Sequence, residues 1–237
     1  TVRDGLLYVT TARESLVILR VVDGKLALHA HDGIKREGLS HLYIDGKANA
    51  VLAASRGGTV SALSETGITD TARTLSPIAE ACLPTSIIRL ASSPVGLPSP
   101  SITTHVYGTS MNGSVHRITV LTEKEWRLLR FLQNLCSQDP TISPFLSARK
   151  RRWTWADIEP SSKKPSDMHI NGDILTRLLQ YGSDYLRGML SRDAKSLVAD
   201  APWKTYMEPF AEIVLDTLGQ TEEDPVSMVM DWLSRKL

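Results

Sequence analysis

A six-residue pattern occurs twice in this chain. Ser55-Arg56-Gly57-Gly58-Thr59-Val60 and Ser110-Met111-Asn112-Gly113-Ser114-Val115 share S-x-x-G-[ST]-V, and an apolar residue, Leu63 or Ile118, follows three places after each valine. The offset from Ser55 to Ser110 is 55 residues, and a fainter third copy lies at Ala12–Leu19. Four-stranded propeller blades recur at about 40–50 residues, so this spacing suits such a blade carrying a longer loop. The plainer alternative is that any two β-hairpins look alike at this level. Two or three blades do not close a ring, which takes about 4–8. An open β half also leaves sheet edges exposed. The reading therefore expects further blades outside this chain, which begins at Thr1 and runs straight into the apolar stretch Leu6–Thr10 as a piece of something longer would.

The flanking signals agree with the repeat. Asn112-Gly113 separates the strand-like runs Thr103–Thr109 and Ser114–Leu121, a strong hairpin signal, and Gly57-Gly58 reads as a hairpin turn too. Earlier strands are expected at Leu6–Thr10, Leu16–Val22 and Lys25–Ala30, the last two joined at Asp23-Gly24, then at Leu39–Ile44, Ala50–Ser55 and Thr59–Leu63, with Asp45-Gly46 between the first two of these. Ser86–Ala91 follows, and the Pro/Ser/Gly-rich stretch Ser92–Ser101 reads as a surface loop.

At Thr122 the period changes. Thr122 and Glu125 are spaced as a capping box, and Trp126, Leu129, Leu132 and Cys136 recur at helical spacing, flanked by Leu128, Phe131 and Leu135. A helix over Glu123–Ser137 ends before Asp139-Pro140. A second is expected from Asp173 as N-cap, with Ile174, Leu175, Leu178, Leu179 and Leu186 apolar and Gly182 and Gly188 weakening its second half. A third is expected over Pro202–Leu218, kinked or split at Pro209, and a fourth from the cap Asp224 and Pro225, carrying Val226, Val229, Met230 and Leu233. The fold class is thus β then α. Residues 1–121 are expected to form propeller blades and 122–237 a helical domain with a basic, Trp-bearing linker at 138–168.

Composition excludes several roles. Twenty-seven basic against 26 acidic residues give a net charge of +1, no global field for nucleic acid or an anionic membrane. Cys82 and Cys136 supply neither a disulfide framework nor a metal quartet and suit a reducing compartment. No apolar run reaches the roughly 18 residues a membrane helix needs. The six histidines are scattered; His29 and His31 are expected on one strand face, without a partner at ligand spacing. No nucleophile elbow, phosphate loop or dinucleotide fingerprint is present. No catalytic, metal or cofactor residue is assigned, and the chain reads as a non-enzyme.

The sharpest chemical feature is Arg149-Lys150-Arg151-Arg152-Trp153-Thr154-Trp155. Four cations beside two indoles suit phosphates and stacked bases. They equally suit a nuclear-localisation-like patch or an acidic partner, and a solvated linker with its tryptophans in the core accounts for them as well.

Three stretches together resemble one family: Ser15–Leu19 through Lys25–Leu28 into Ala53–Val60; Tyr107–Val115 with the helix Trp126–Leu135; and Ile170-Asn171-Gly172-Asp173-Ile174-Leu175, similar to that family's helix start, with Asn171 where the family carries Asp. The family is the large propeller scaffolds typified by the large subunit of the damage-specific DNA-binding complex. It also holds the large subunit of the cleavage and polyadenylation specificity factor, a splicing-factor relative, and divergent fungal members of replication-fork repair and heterochromatin silencing. The resemblance of Ser15–Val60, Tyr107–Leu135 and Ile170–Leu175 implies that residues 1–121 are the last blades of a WD40-like β-propeller and 122–237 a C-terminal helical domain. It also implies a nuclear, non-enzymatic adaptor of a cullin-type ubiquitin ligase in DNA repair or fork maintenance. The alternatives within the family are an RNA-processing scaffold and a heterochromatin-silencing ligase scaffold. Its partners would be cullin-ligase components or substrate receptors, bound mainly by parts outside this chain, with nucleic acid as a further partner class and no membrane. Arg149, Lys150, Arg151, Arg152, Trp153 and Trp155 are the candidate contacts, while Ile170–Leu175 has a structural role.

Overall fold

The computed structural model of the protein describes residues 1–44, 50–68, 73–92, 105–144, 154–158, 164–196, 202–219 and 223–237. The chain divides into two compact units, Thr1–Val120 with Lys164–His169, and Leu121–Lys163 with Ile170–Leu237.

The first unit is built of strands in curled sheets. They follow as β1 (Val2–Arg3), β2 (Leu6–Thr11), β3 (Ser15–Val22), β4 (Lys25–Asp32), β5 (Gly38–Ile44), β6 (Ala50–Ser55), β7 (Thr59–Ile68), β8 (Arg73–Cys82), β9 (Ile87–Ser92), β10 (His105–Ser110) and β11 (Val115–Thr119). Three antiparallel meanders result. β1–β4 and β5–β8 have four strands each, and β9–β11 has three. The first two merge into one eight-stranded sheet where β4 and β8 run parallel, Ala30–Asp32 opposite Arg73–Leu75.

Both copies of the six-residue pattern form the same turn. Gly58 N–H donates to the Ser55 carbonyl at 3.1 Å, and Gly113 N–H to the Ser110 carbonyl at 3.1 Å. Ala54 opposes Val60 in one copy, and Thr109 opposes Val115 in the other. Each is therefore a hairpin with a three-residue loop whose last residue is a left-handed glycine, with φ of +81° and +84°. The fainter third copy has the same register, with Thr10 opposite Leu16. Asp23-Gly24 turns in two residues, both at positive φ, between the pair Val22 and Lys25.

Two expectations of the strand series need correction. β8, over Arg73–Cys82, was not among the expected strands, and it carries Pro77 in mid-strand. Pro77 opposes Leu63 next to a bulge in β8 itself, where Ile78 is the extra residue between Ala79 and Pro77, and a bulge locally interrupts the ladder that a proline cannot complete. His29 and His31 do not share a face. The register slips between Ile18 and Leu19, leaving His29 as the extra residue of β4. Its Nε2 lies 3.4 Å from Glu65, whereas His31 opposes Val17.

Apolar side chains alternate between two interfaces. Tyr8, Leu16, Ile18 and Ala30 pack with Val51, Ala53, Leu63 and Leu75. On the far side of the second meander, Leu52, Ala54 and Val60 pack with Ile87, Leu90 and Val106.

Among the described residues the second unit has four α-helices, α1 (Glu123–Ser137), α2 (Gly172–Leu190), α3 (Met207–Leu218) and α4 (Pro225–Lys236). α1 starts as its sequence demands. Thr122 N–H donates to the Glu125 carboxylate at 2.9 Å, and Glu125 N–H returns a bond to Thr122 Oγ1. Glu125 also meets Lys236 of α4 at 2.6 Å, tying the start of one helix to the end of another. α4 is capped by Asp224 with Pro225 in its first turn. The cap of α2 is Asn171 rather than Asp173, since the Asn171 side chain accepts from Asp173 N–H at 3.0 Å. α3 begins only at Met207, which puts Pro209 in the first turn, where its missing N–H has no intrahelical partner to lose. α2 kinks at Gly182, φ +81°. Leu129, Phe131, Leu132 and Leu135 of α1 form one core with Leu175, Leu186, Phe210 and Val229 of the other helices.

Candidate partner interface

The predicted contact residues Arg149, Lys150, Arg151, Arg152 and Trp153 lie outside the described residues. Trp155 opens a one-turn 3₁₀ helix, Trp155–Ile158. Thr154 N–H and Oγ1 both donate to the Asp157 carboxylate, at 2.7 and 3.2 Å. Ile158 is fully buried in the helical core. On the upstream side Ile142 is fully buried in the same core. The basic run is thus bracketed by two apolar anchors of the helical unit, one on each side.

The upstream anchor depends on Asp139. Its carboxylate accepts from Thr141 N–H at 2.9 Å, the Tyr185 hydroxyl at 2.8 Å and the Arg192 guanidinium at 2.8 Å. Burial pushes the Asp139 pKa up, but the Tyr185, Arg192 and backbone hydrogen bonds outweigh it and hold the carboxyl below its ordinary value. Arg177 also donates to the Ile142 carbonyl at 3.2 Å.

The segment Ile170–Leu175 performs a structural task. Asn171 N–H donates to Gln133 Oε1 of α1 at 2.6 Å while its side chain caps α2. Leu175 is fully buried and Ile174 nearly so. Gln133 is the residue sequence reasoning missed here; its position on α1 carries no signal of a partner 38 residues away.

A second polar cluster was also missed. In the β unit Arg36 reaches Asp32 at 2.5 Å and Glu80 at 2.7 Å. Ser15 Oγ donates to Asp32 and Ser61 Oγ to Glu80, at 2.7 and 3.0 Å. Asp32 has no exposed side-chain surface and Arg36 little. The guanidinium bridges a carboxylate of β4 and one of β8, and so joins the first two meanders.

Cys136 and His41 are held inside the fold, while Cys82 is a free, exposed thiol. Burial, with Asp139 adding to it, pushes the Cys136 thiol up to about 12, so it stays protonated at neutral pH and packs as a small apolar group. His41 lies between Thr10 Oγ1 and Thr1 Oγ1, and burial pushes its pKa down. A surface concavity of the helical unit is lined by Arg127, Glu212, Ile213 and Asp216. There Asp216 is already held by Lys124 at 2.8 Å. Among the described residues no group of three or more His, Cys, Asp or Glu is placed to hold a metal ion, and no helix is long and apolar enough to cross a membrane.

Neither a scan against protein-family models nor a search of curated proteins finds a match for the chain.

Proposed function

We propose that the three meanders are consecutive blades of a β-propeller and that the chain is part of a non-enzymatic scaffold, an adaptor of a nuclear cullin-type ubiquitin ligase in genome maintenance. The observation that carries the scaffold reading is the repeated hairpin, with loop length, glycine geometry and register the same at Ser55–Thr59 and Ser110–Ser114. In this reading β5–β8 is a complete blade, β1–β4 precedes it and β9–β11 follows with three strands. A stack of small sheets suits a scaffold, because it is rigid and displays loops and faces to partners. The ligase assignment rests on the resemblance carried by Ser15–Val60, Tyr107–Leu135 and Ile170–Leu175.

Affinity capture of the tagged protein from its own cells, with the co-purifying proteins identified by mass spectrometry, tests the assignment. A cullin and its ligase subunits are the expected companions. Recovery of cleavage, polyadenylation or splicing factors in their place would move the protein to the RNA-processing branch.

A further inference from the structure

The two boundaries between the three meanders are made of different kinds of contact. β4 pairs with β8 in parallel, Ala30–Asp32 opposite Arg73–Leu75, so backbone hydrogen bonds run from the first meander into the second. Arg36 crosses the same boundary, holding Asp32 at 2.5 Å and Glu80 at 2.7 Å. The fourth strand of each meander makes that join. β9–β11 lacks a fourth strand of its own, since β11 ends at Thr119 and α1 begins at Glu123. Along Arg73–Leu75 both edges of β8 are already taken, one by β7 and one by β4. The third meander is accordingly a separate three-stranded sheet.

Side chains hold it to the second. Leu52, Ala54 and Val60 pack with Ile87, Leu90 and Val106, a cluster comparable to the one between the first two meanders. Leu90 N–H donates to Ser40 Oγ of β5 at 3.1 Å. With the apolar contributions similar at the two boundaries, the backbone ladder and the Arg36 bridge decide which is the stronger, and hydrogen bonds to charged groups outweigh neutral ones.

We propose that the boundary between β8 and β9 is a joint built into the β unit. There β9–β11 detaches from β5–β8 as one cooperative piece and uncovers Leu52, Ala54 and Val60, while β1–β8 stays paired. Openings of this kind follow supersecondary units. The inference goes beyond the scaffold reading and depends on neither a closed ring nor the ligase assignment.

Hydrogen exchange of the full-length protein at rising sub-denaturing guanidinium, read by mass spectrometry on peptides from each meander, tests this. Ladder amides of Ile87–Ser92, His105–Ser110 and Val115–Thr119 should share one opening and exchange about tenfold faster than those of β3, β6 and β7. Ser40→Ala removes the hydroxyl that accepts the Leu90 N–H. It should speed exchange in β9–β11 about tenfold further and leave β2–β4 unchanged, with circular dichroism checking that the variant is folded. Equal protection in all three meanders, β9–β11 as the last to exchange, or a Ser40→Ala effect spread evenly over the three would each overturn the proposal.

Discussion

Single residues in this chain are decided by backbone geometry and by burial. Gly58 and Gly113 occupy equivalent turn positions at almost the same φ, yet their surroundings differ. A Cβ on Gly58 would lie 2.6 Å from the Leu83 carbonyl oxygen, while one on Gly113 meets nothing within 4 Å. Gly113→Ala should cost about 1–2 kcal/mol, the left-handed penalty alone. Gly58→Ala should cost roughly twice that or more, because Leu83, whose N–H bonds the Gly58 carbonyl at 2.9 Å, must move as well. Chemical unfolding of the two variants compares them, and equal losses would contradict the contact. Asp139 sets a pH dependence. Its folded pKa lies below the unfolded value, so its contribution is complete above the ordinary aspartate value of about 3.9 and is lost as pH falls through the lower folded one. Asp139→Asn should therefore flatten the acid limb of the stability curve in that window. The paired glycines were legible in the sequence because turns are local. The partners of Asp139 and Arg36 were not, because they come together only when distant segments pack.

Elements were legible where one local signal dominated. The capping box fixed the start of α1, and Asp224-Pro225 fixed that of α4. Where two polar residues competed, at Asn171 and Asp173, the sequence reading chose the wrong one, since the choice follows from the bond between Asn171 N–H and Gln133. β8 was not among the expected strands; its Pro77 sits beside a bulge at Ile78 of the same strand, which only pairing reveals. The apolar stripe of α1 is buried as its spacing predicts, with Leu129 at 4% exposure and Leu132 at 0%. Leu129→Ala and Leu132→Ala should each cost about 2–5 kcal/mol, and a thermal melt showing near-neutral effects would contradict that packing.

At the scale of the whole molecule, the order of strands and then helices was readable because the hydrophobic period switches from two to 3.6 at Thr122. The parallel pairing of β4 with β8 was not, because two strands so far apart in sequence meet only when the meanders stack. The basic run Arg149–Arg152 adds a prediction about partners. Nucleic acid held there should be released steeply by salt, with a logarithmic slope near −0.9 for each phosphate neutralised on duplex DNA. Alanine at all four positions should flatten that slope, and binding indifferent to salt would assign the run to another partner. The first two meanders are joined by the peptide between Asp32 and Gly38 and also by the parallel seam of Ala30–Asp32 with Arg73–Leu75, beside which Arg36 grips Asp32 and Glu80. Tension that parts one meander from the other must therefore shear a zipped rim as well as straighten a tether, so the pair bears load as one plate.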